Sequence, residues 1–353
     1  MRKSSWILTG SAVVLVTASA LTRFSLHPAL HQVPDDTRTT FRFEGSATLL
    51  NPAALEAGDF SKAFLADLPV VLDRSVEVRD TSGRTAVVSD GVVLRGRDGT
   101  ELNSSEDVWA VDRRDLTERP VPAGSGAEEH EGLVISWPLE PERRDYRFWD
   151  TGTRKAVPAR YDRTESVSGR EAYVYVVEAD GALADPSTAK ALPPALPRQV
   201  VAGLAAALPA DRRPDAAVLA ALPETVPLTY TSTTERRAWV DADTGLSLDG
   251  ALHQTVLART TGGNGPVTLF PVTDVSVRGA EASVEKQADE AAATARLLWL
   301  VSTGGPIGLL VLGVLLGLLA LRGARRRTGD RDGDGDRRTG TAPSAEPQTP
   351  QPR

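Results

Sequence analysis

The chain has 353 residues, 41% of them hydrophobic, a formal charge of −7 and no cysteine. That is enough apolar material for a sizeable core, and the missing thiols exclude disulfides, thiolate nucleophiles and cysteine-ligated metals. Arginine outnumbers lysine by 35 to 5, a bias typical of a GC-rich genome, such as an actinobacterial one, rather than of a function.

Arg2 and Lys3 precede an uncharged stretch over residues 4–22. Its apolar centre, Trp6 to Val16, followed by Ala18-Ser19-Ala20, satisfies the pattern for signal-peptide cleavage. Residues 5–21 suit equally a nearly upright membrane helix of about 25 Å, a signal anchor. Either reading exports the chain beyond residue 22 and keeps residues 1–4 in the cytoplasm.

Short β-type runs with turn residues between them occupy most of residues 24–296. The segments 39–50, 70–78, 86–94, 172–177, 225–240, 246–260 and 267–277 alternate or cluster β-branched and aromatic residues, a pattern of about ten to twelve strands. The predicted fold class is mainly β (α+β): a large antiparallel β-rich external domain with a short helical insertion, flanked by transmembrane helices at both ends. The insertion is residues 184–223, rich in Ala, Leu and Pro, with helices predicted at 198–208 and 215–222. Residues 281–296 are strong helix formers and predict a stalk helix. The external region carries 29 basic and 42 acidic residues, a formal charge of −13. This disfavours nucleic acid and anionic lipid headgroups as broad-surface partners.

Residues 297–321 form the longest uncharged stretch, followed by Arg322, Arg325, Arg326 and Arg327. Twenty-five residues of helix extend about 37 Å, more than the roughly 30 Å of bilayer hydrocarbon. No polar side chain lies between Pro306 and Leu321, so a soluble core helix with a polar stripe is a poor fit. The arginines place residues 322–353 in the cytoplasm by the positive-inside rule, and the polar, Gly- and Pro-containing tail is expected to be disordered. Gly304 with Gly308, and Gly313 with Gly317, are two small-xxx-small pairs on nearly opposite helix faces. They are expected positions for a partner membrane helix.

Motifs for chemistry are sparse. Asp150-Thr151-Gly152 and Asp243-Thr244-Gly245 match the triplet of pepsin-like proteases, but the triplet is also good turn chemistry, and the copies stand about half the usual distance apart. They are read as hairpin turns. His27, His31, His130 and His253 are read as solvated loop histidines, since Pro28 separates the first two and no Glu accompanies them in a zinc-protease spacing. Asp332, Asp334 and Asp336 imitate the start of a calcium loop, but Arg337 replaces the required Gly and Pro343 the required Glu. No nucleophile elbow, phosphate-binding loop or dinucleotide fingerprint is present. The sequence therefore names no catalytic, cofactor-binding or metal residue, no cofactor and no enzymatic activity.

Trp137-Pro138 through Tyr146, Trp149-Asp150, Gly169, Tyr173-Val174-Tyr175, Trp239-Val240-Asp241 and Thr244-Gly245 together resemble the PorA-type porin family of actinobacterial membrane proteins. The likeness extends over roughly residues 5 to 325. It implies a helix at each end of a large external domain, which favours retention of residues 5–21 as an anchor. The plan is similar to that of two-helix lipid-scavenging receptors with hollow β-rich ectodomains, and relatives are implicated in cell-envelope glycolipid assembly. A transmembrane β-barrel needs apolar outward faces and aromatic girdles, whereas aromatics are 5% here and Arg74-Ser75-Val76-Glu77-Val78-Arg79 is charged on both faces. The expectation is a non-enzymatic, membrane-anchored envelope protein that binds or passes a lipid or glycolipid, with a protein-binding scaffold or sensor as the alternative. A porin or an aspartic-type protease ranks lower.

Overall fold

The computed structural model describes residues 32–262 and 265–329. The predicted N-terminal helix at 5–21, His27, His31, the Asp332–Asp336 run and the tail from residue 330 lie outside the described residues. The chain divides into two compact units, one of them Leu30–Leu297.

That unit is mainly β. Ten strands form one antiparallel sheet: β1 (Arg38–Leu50), β2 (Phe64–Ser82), β3 (Thr85–Gly96), β4 (Glu101–Asp112), β5 (Tyr146–Asp150), β6 (Lys155–Val167), β7 (Arg170–Ala182), β10 (Thr229–Asp241), β11 (Ser247–Gly262) and β12 (Gly265–Gly279). Their order is β4-β3-β2-β1-β12-β11-β10-β7-β6-β5. Hairpins connect most neighbours, and the long-range step is β1 against β12, with Gly45 opposite Val277. Two short strands, β8 (Ala195–Pro197) and β9 (Thr225–Pro227), pair within the insertion.

The sheet's two edges, β4 and β5, are both covered by the irregular segment 113–145. Glu128 N–H donates to Val108 O at 2.8 Å and Arg119 N–H to Ala110 O at 2.9 Å on one side; Leu133 N–H donates to Arg147 O at 2.8 Å on the other. Unpaired edge groups need such cover. The sheet thereby closes into a barrel whose seam is a loop. Gly132 is required there, since it has φ +75° and a Cβ would stand 2.5 Å from Arg147 O.

The period-2 geometry of the strands sorts side chains to two sides. Inside, Trp109 and Val111 of β4 pack with Leu133, Trp137, Phe148 and Tyr175, and Trp137 stacks on Tyr175 at 4.1 Å. A second group joins Ala47, Val70, Leu72, Leu94 and Val277. Outside, the strands carry ion pairs such as Arg42–Asp73 at 2.7 Å, Arg95–Asp73 at 2.9 Å and Arg160–Glu178 at 3.3 Å.

Four short or medium helices decorate this barrel: α1 (Pro52–Glu56), α2 (Pro186–Ala191), α3 (Arg198–Ala207) and α4 (Ala216–Ala220). A fifth, α5 (Glu281–Trp299), lays Ala288 and Ala291 on Ala172, Val174, Trp239 and Leu248. Its first turns are thus packed against the sheet rather than forming a free stalk, because small alanine side chains allow close approach. In the other unit a π turn, Leu300–Gly304, leads into α6 (Gly305–Gly329). Pro306 has no N–H and cannot complete a regular ladder, which accounts for the widened turn before it. The helix continues past residue 321 to Gly329, further than the tail boundary predicted from sequence. Of the glycine pairs, Gly304 is occupied by its own chain, since a Cβ there would stand 2.5 Å from the Trp299 ring, while nothing among the described residues stands within 4 Å at Gly308 or Gly317.

Candidate functional site

The site is built where the helical insertion lies on the barrel. In α3, Val201, Leu204, Ala205 and, just beyond it, Leu208 are buried, the i, i+3, i+4, i+7 spacing of an apolar helix face. Gly203 lets the helix close on Phe60, whose ring would be 2.5 Å from a Cβ. The β8–β9 ribbon fixes the segment before α3, with Leu228 N–H donating to Pro194 O and Arg198 N–H to Glu224 O, each at 2.8 Å. Tyr230 donates its hydroxyl to Pro193 O at 2.6 Å, and burial pushes that hydroxyl up to about 12, so it remains a neutral donor.

Between these elements lies a cleft of about 310 Å³. Its walls are Leu192, Leu196, Val200 and Leu204 from the insertion and Phe270 and Val272 from β12, with Leu50 and Leu55 below. The polar side chains in the lining are Glu56, exposed at the end of α1, and Tyr230. Such a surface accepts hydrocarbon.

A second feature is a charged layer on the inner side of the barrel. Arg74 donates to both oxygens of Asp90, at 2.8 and 2.6 Å, and also reaches Val134 O and Ile135 O of the seam at 3.3 and 3.2 Å. Arg236 lies over the Phe148 ring at 5.1 Å, and burial, then repulsion from Arg74, pushes its guanidinium down to about 10. On the same strand and face, the buried hydroxyls of Ser232 and Thr234 have no hydrogen-bond partner among the described residues. Asp107 stands directly opposite Asp90 across β3–β4. Burial first, then Asp185, Asp90 and Glu128, push its carboxyl up to about 6 against the opposing pull of Arg154.

Both Asp-Thr-Gly triplets sit in turns, but neither works as its triplet implies. Asp150 accepts from Thr153 N–H at 2.7 Å and Thr153 Oγ1 at 2.6 Å. The left-handed residue of that turn is Arg154, φ +52°, not Gly152; Gly152 is needed because a Cβ would meet Ser232 Oγ at 2.5 Å. In the second turn the capping carboxylate is Asp241, not Asp243: it accepts from Thr244 N–H and Oγ1 at 2.9 and 2.8 Å and takes Arg170 at 2.7 and 2.9 Å. Burial alone would raise the Asp241 carboxyl, but Arg170 and Thr244 outweigh it and hold it low. Asp243 is largely exposed and touches only the outer nitrogen of Arg170. The shared unit is therefore Asp-x-x-Thr, and Asp185 repeats it with Thr188 at 2.9 Å. His130, expected in solvent, is instead buried in the seam, its ring nitrogens 3.1 and 3.2 Å from Gly132 O and Ala110 O; burial lowers its pKa, and the neutral ring donates to one of the two carbonyls. His253 is exposed on β11 beside Asp274 at 2.9 Å. Sequence reasoning missed the cleft, although Leu192, Leu196, Val200 and Leu204 recur every fourth residue; the repeat is split between an extended ribbon and a helix.

The chain combines an antiparallel, mainly β domain with one helix, among the described residues, that is long and apolar enough to cross a bilayer by length and composition. The chain belongs to the porin family described as Porin PorA, which it matches over residues 4–322, taking in both the β domain and the apolar helix. No curated protein matches it. Among solved structures, a putative MaoC domain protein dehydratase from Chloroflexus aurantiacus J-10-fl is 11% identical, with 76% of this chain and 80% of that chain covered. Its TM-score of 0.14 carries no argument about fold or activity.

Asp241→Ala should cost about 2–4 kcal/mol in denaturant unfolding followed by tryptophan fluorescence, because it strands a partly buried Arg170. Asp243→Ala should stay within about 0.5 kcal/mol. Equal losses would refute the Asp-x-x-Thr assignment.

Asp107 gives a pH signature. Its folded pKa lies above the ordinary 3.8, so its favourable contribution is complete below about pH 4 and is lost as pH rises through about 6. Asp107→Asn should therefore gain about 2 kcal/mol over wild type at pH 7.5 and nothing at pH 4. A gain independent of pH would show that Asp107 does not titrate in this range.

Proposed function

We propose that this member of the porin family is a non-enzymatic, membrane-anchored protein of the cell envelope, whose external β domain holds the hydrocarbon part of a lipid or glycolipid in the cleft beneath the helical insertion. The observation that carries the reading is the cleft itself: about 310 Å³, walled by leucine, valine and phenylalanine, within the size range of small-molecule sites. The ion pairs on the outer side of the barrel support strands that face water, since strands facing lipid need an apolar band. The fully buried Trp109, Leu133 and Tyr175 support a filled rather than open interior at the seam end, which ranks passage through the barrel below binding under the helical insertion. The runner-up is a scaffold for another envelope protein, favoured by an outward polar groove of about 460 Å³ that includes Glu178, Glu235, Arg237 and His253.

Native mass spectrometry of the detergent-extracted chain tests the two readings against each other. A lipid adduct should accompany the wild type and disappear in Leu196→Trp, which fills the cleft. A bare chain would sink the lipid reading, and a stoichiometric protein companion would favour the scaffold.

The topology belongs to the same proposal: residues 24–296 outside, 322–353 in the cytoplasm, with 5–21 as a second anchor. It rests on Arg2, Lys3 and Arg322 to Arg327 and the positive-inside rule. Alkaline phosphatase fused after Thr260 should be active in cells and after Thr339 inactive; the reverse pattern would overturn the orientation.

A further inference from the structure

The cleft's polar groups go further than its apolar walls and select the head of the ligand. The lining carries two polar side chains, and neither has a proton to offer. Glu56 is a carboxylate, an acceptor only, exposed at the rim. Tyr230 has its hydroxyl proton committed to Pro193 O at 2.6 Å. A phosphate or carboxylate head would meet acceptors and a like charge, with no side-chain donor among the described lining residues to satisfy it. Lys62 is held by Asp59 at 3.2 Å, and Lys190, two residues before Leu192, is not part of the lining.

We infer that the cleft takes a single-chain amphiphile whose head is a hydrogen-bond donor without negative charge, an alcohol or an amine, bound through Glu56. The inference rests on the lipid reading above and adds the ligand's chemical class. Chain length follows from volume: an apolar cavity of about 150 Å³ takes one benzene ring, so about 310 Å³ takes a chain of roughly twelve carbons. That is one tail, not the two of a diacyl phospholipid.

The test uses the full chain in lipid nanodiscs and four probes with a diazirine in a twelve-carbon tail: an amine, an alcohol, a carboxylate and a phosphate. After illumination, labelled peptides are mapped by mass spectrometry. The amine and the alcohol should label peptides containing Leu55 and Leu192 to Leu204, about three- to tenfold more than the two anions, the scale of one exposed charge contact. Glu56→Gln should abolish the preference for the amine over the anions while the alcohol still labels, and Glu56→Lys should invert it. Lys190→Gln should leave the order unchanged. If all four probes label the cleft alike and Glu56→Gln changes nothing, the head-group inference falls while the lipid reading stands. If the order follows Lys190 instead of Glu56, it falls equally. If no probe labels these peptides, and Leu196→Trp makes no difference, both readings fall together.

Discussion

Closure of the sheet is the constraint on which the rest depends. Ten antiparallel strands leave two edges, and each edge exposes a row of unpaired N–H and C=O groups. Here both edges are met by one stretch of irregular backbone, residues 113–145, which hydrogen-bonds to β4 on one side and β5 on the other. Because the seam has no ladder of its own, side chains reinforce it: His130 sits between Ala110 O and Gly132 O and donates to one of them, and Arg74 crosses the interior to Val134 O and Ile135 O. The aromatic stack of Trp137 on Tyr175 closes the same end. Burying Arg74 beneath that seam fixes the charged layer, since a buried guanidinium needs a carboxylate, and Asp90 supplies it. Asp107, directly across from Asp90, has only the opposing pull of Arg154, and burial with the neighbouring carboxylates raises its pKa to about 6.

Much of the fold was legible. The runs at 39–50, 86–94 and 172–177 are strands because alternation and β-branched residues agree with burial, and the mapped helices at 198–208 and 281–296 begin where predicted. Other parts were not legible. Glu101–Asp112 reads Glu-Leu-Asn-Ser-Ser-Glu-Asp before its apolar end, and its extended form comes from pairing with β3 rather than from propensity. The seam was invisible because an irregular segment has no period to detect. Residues 225–240, read as one strand, break at Leu228, whose N–H is taken by Pro194 O.

The site was legible in its ingredients and not in its arrangement. The Ala-, Leu- and Pro-rich insertion announced helices, yet nothing local told that Phe270 and Val272, far along the chain, would form the opposite wall. The two Asp-Thr-Gly triplets drew attention to the wrong aspartate in one case: proximity in sequence to Gly245 favoured Asp243, while the carboxylate buried against Arg170 is Asp241. The third copy of the unit, at Asp185, starts α2 and was hidden by Pro186 and Ser187. A search for Asp followed three residues later by Thr finds all three.

The pairing of β1 with β12 sets the order in which the domain can assemble. Phe43 meets Gly279 and Leu49 meets Thr273, so the first strand of the sheet waits for the last one to be synthesised and delivered. The β1–β4 meander and the β5–β7 hairpins can form from local contacts, but the barrel cannot close until β12 arrives, and pairing across such separations is slow. During synthesis this leaves two half-sheets with open edges, held together only by the chain between them, until the residues just ahead of α5 emerge.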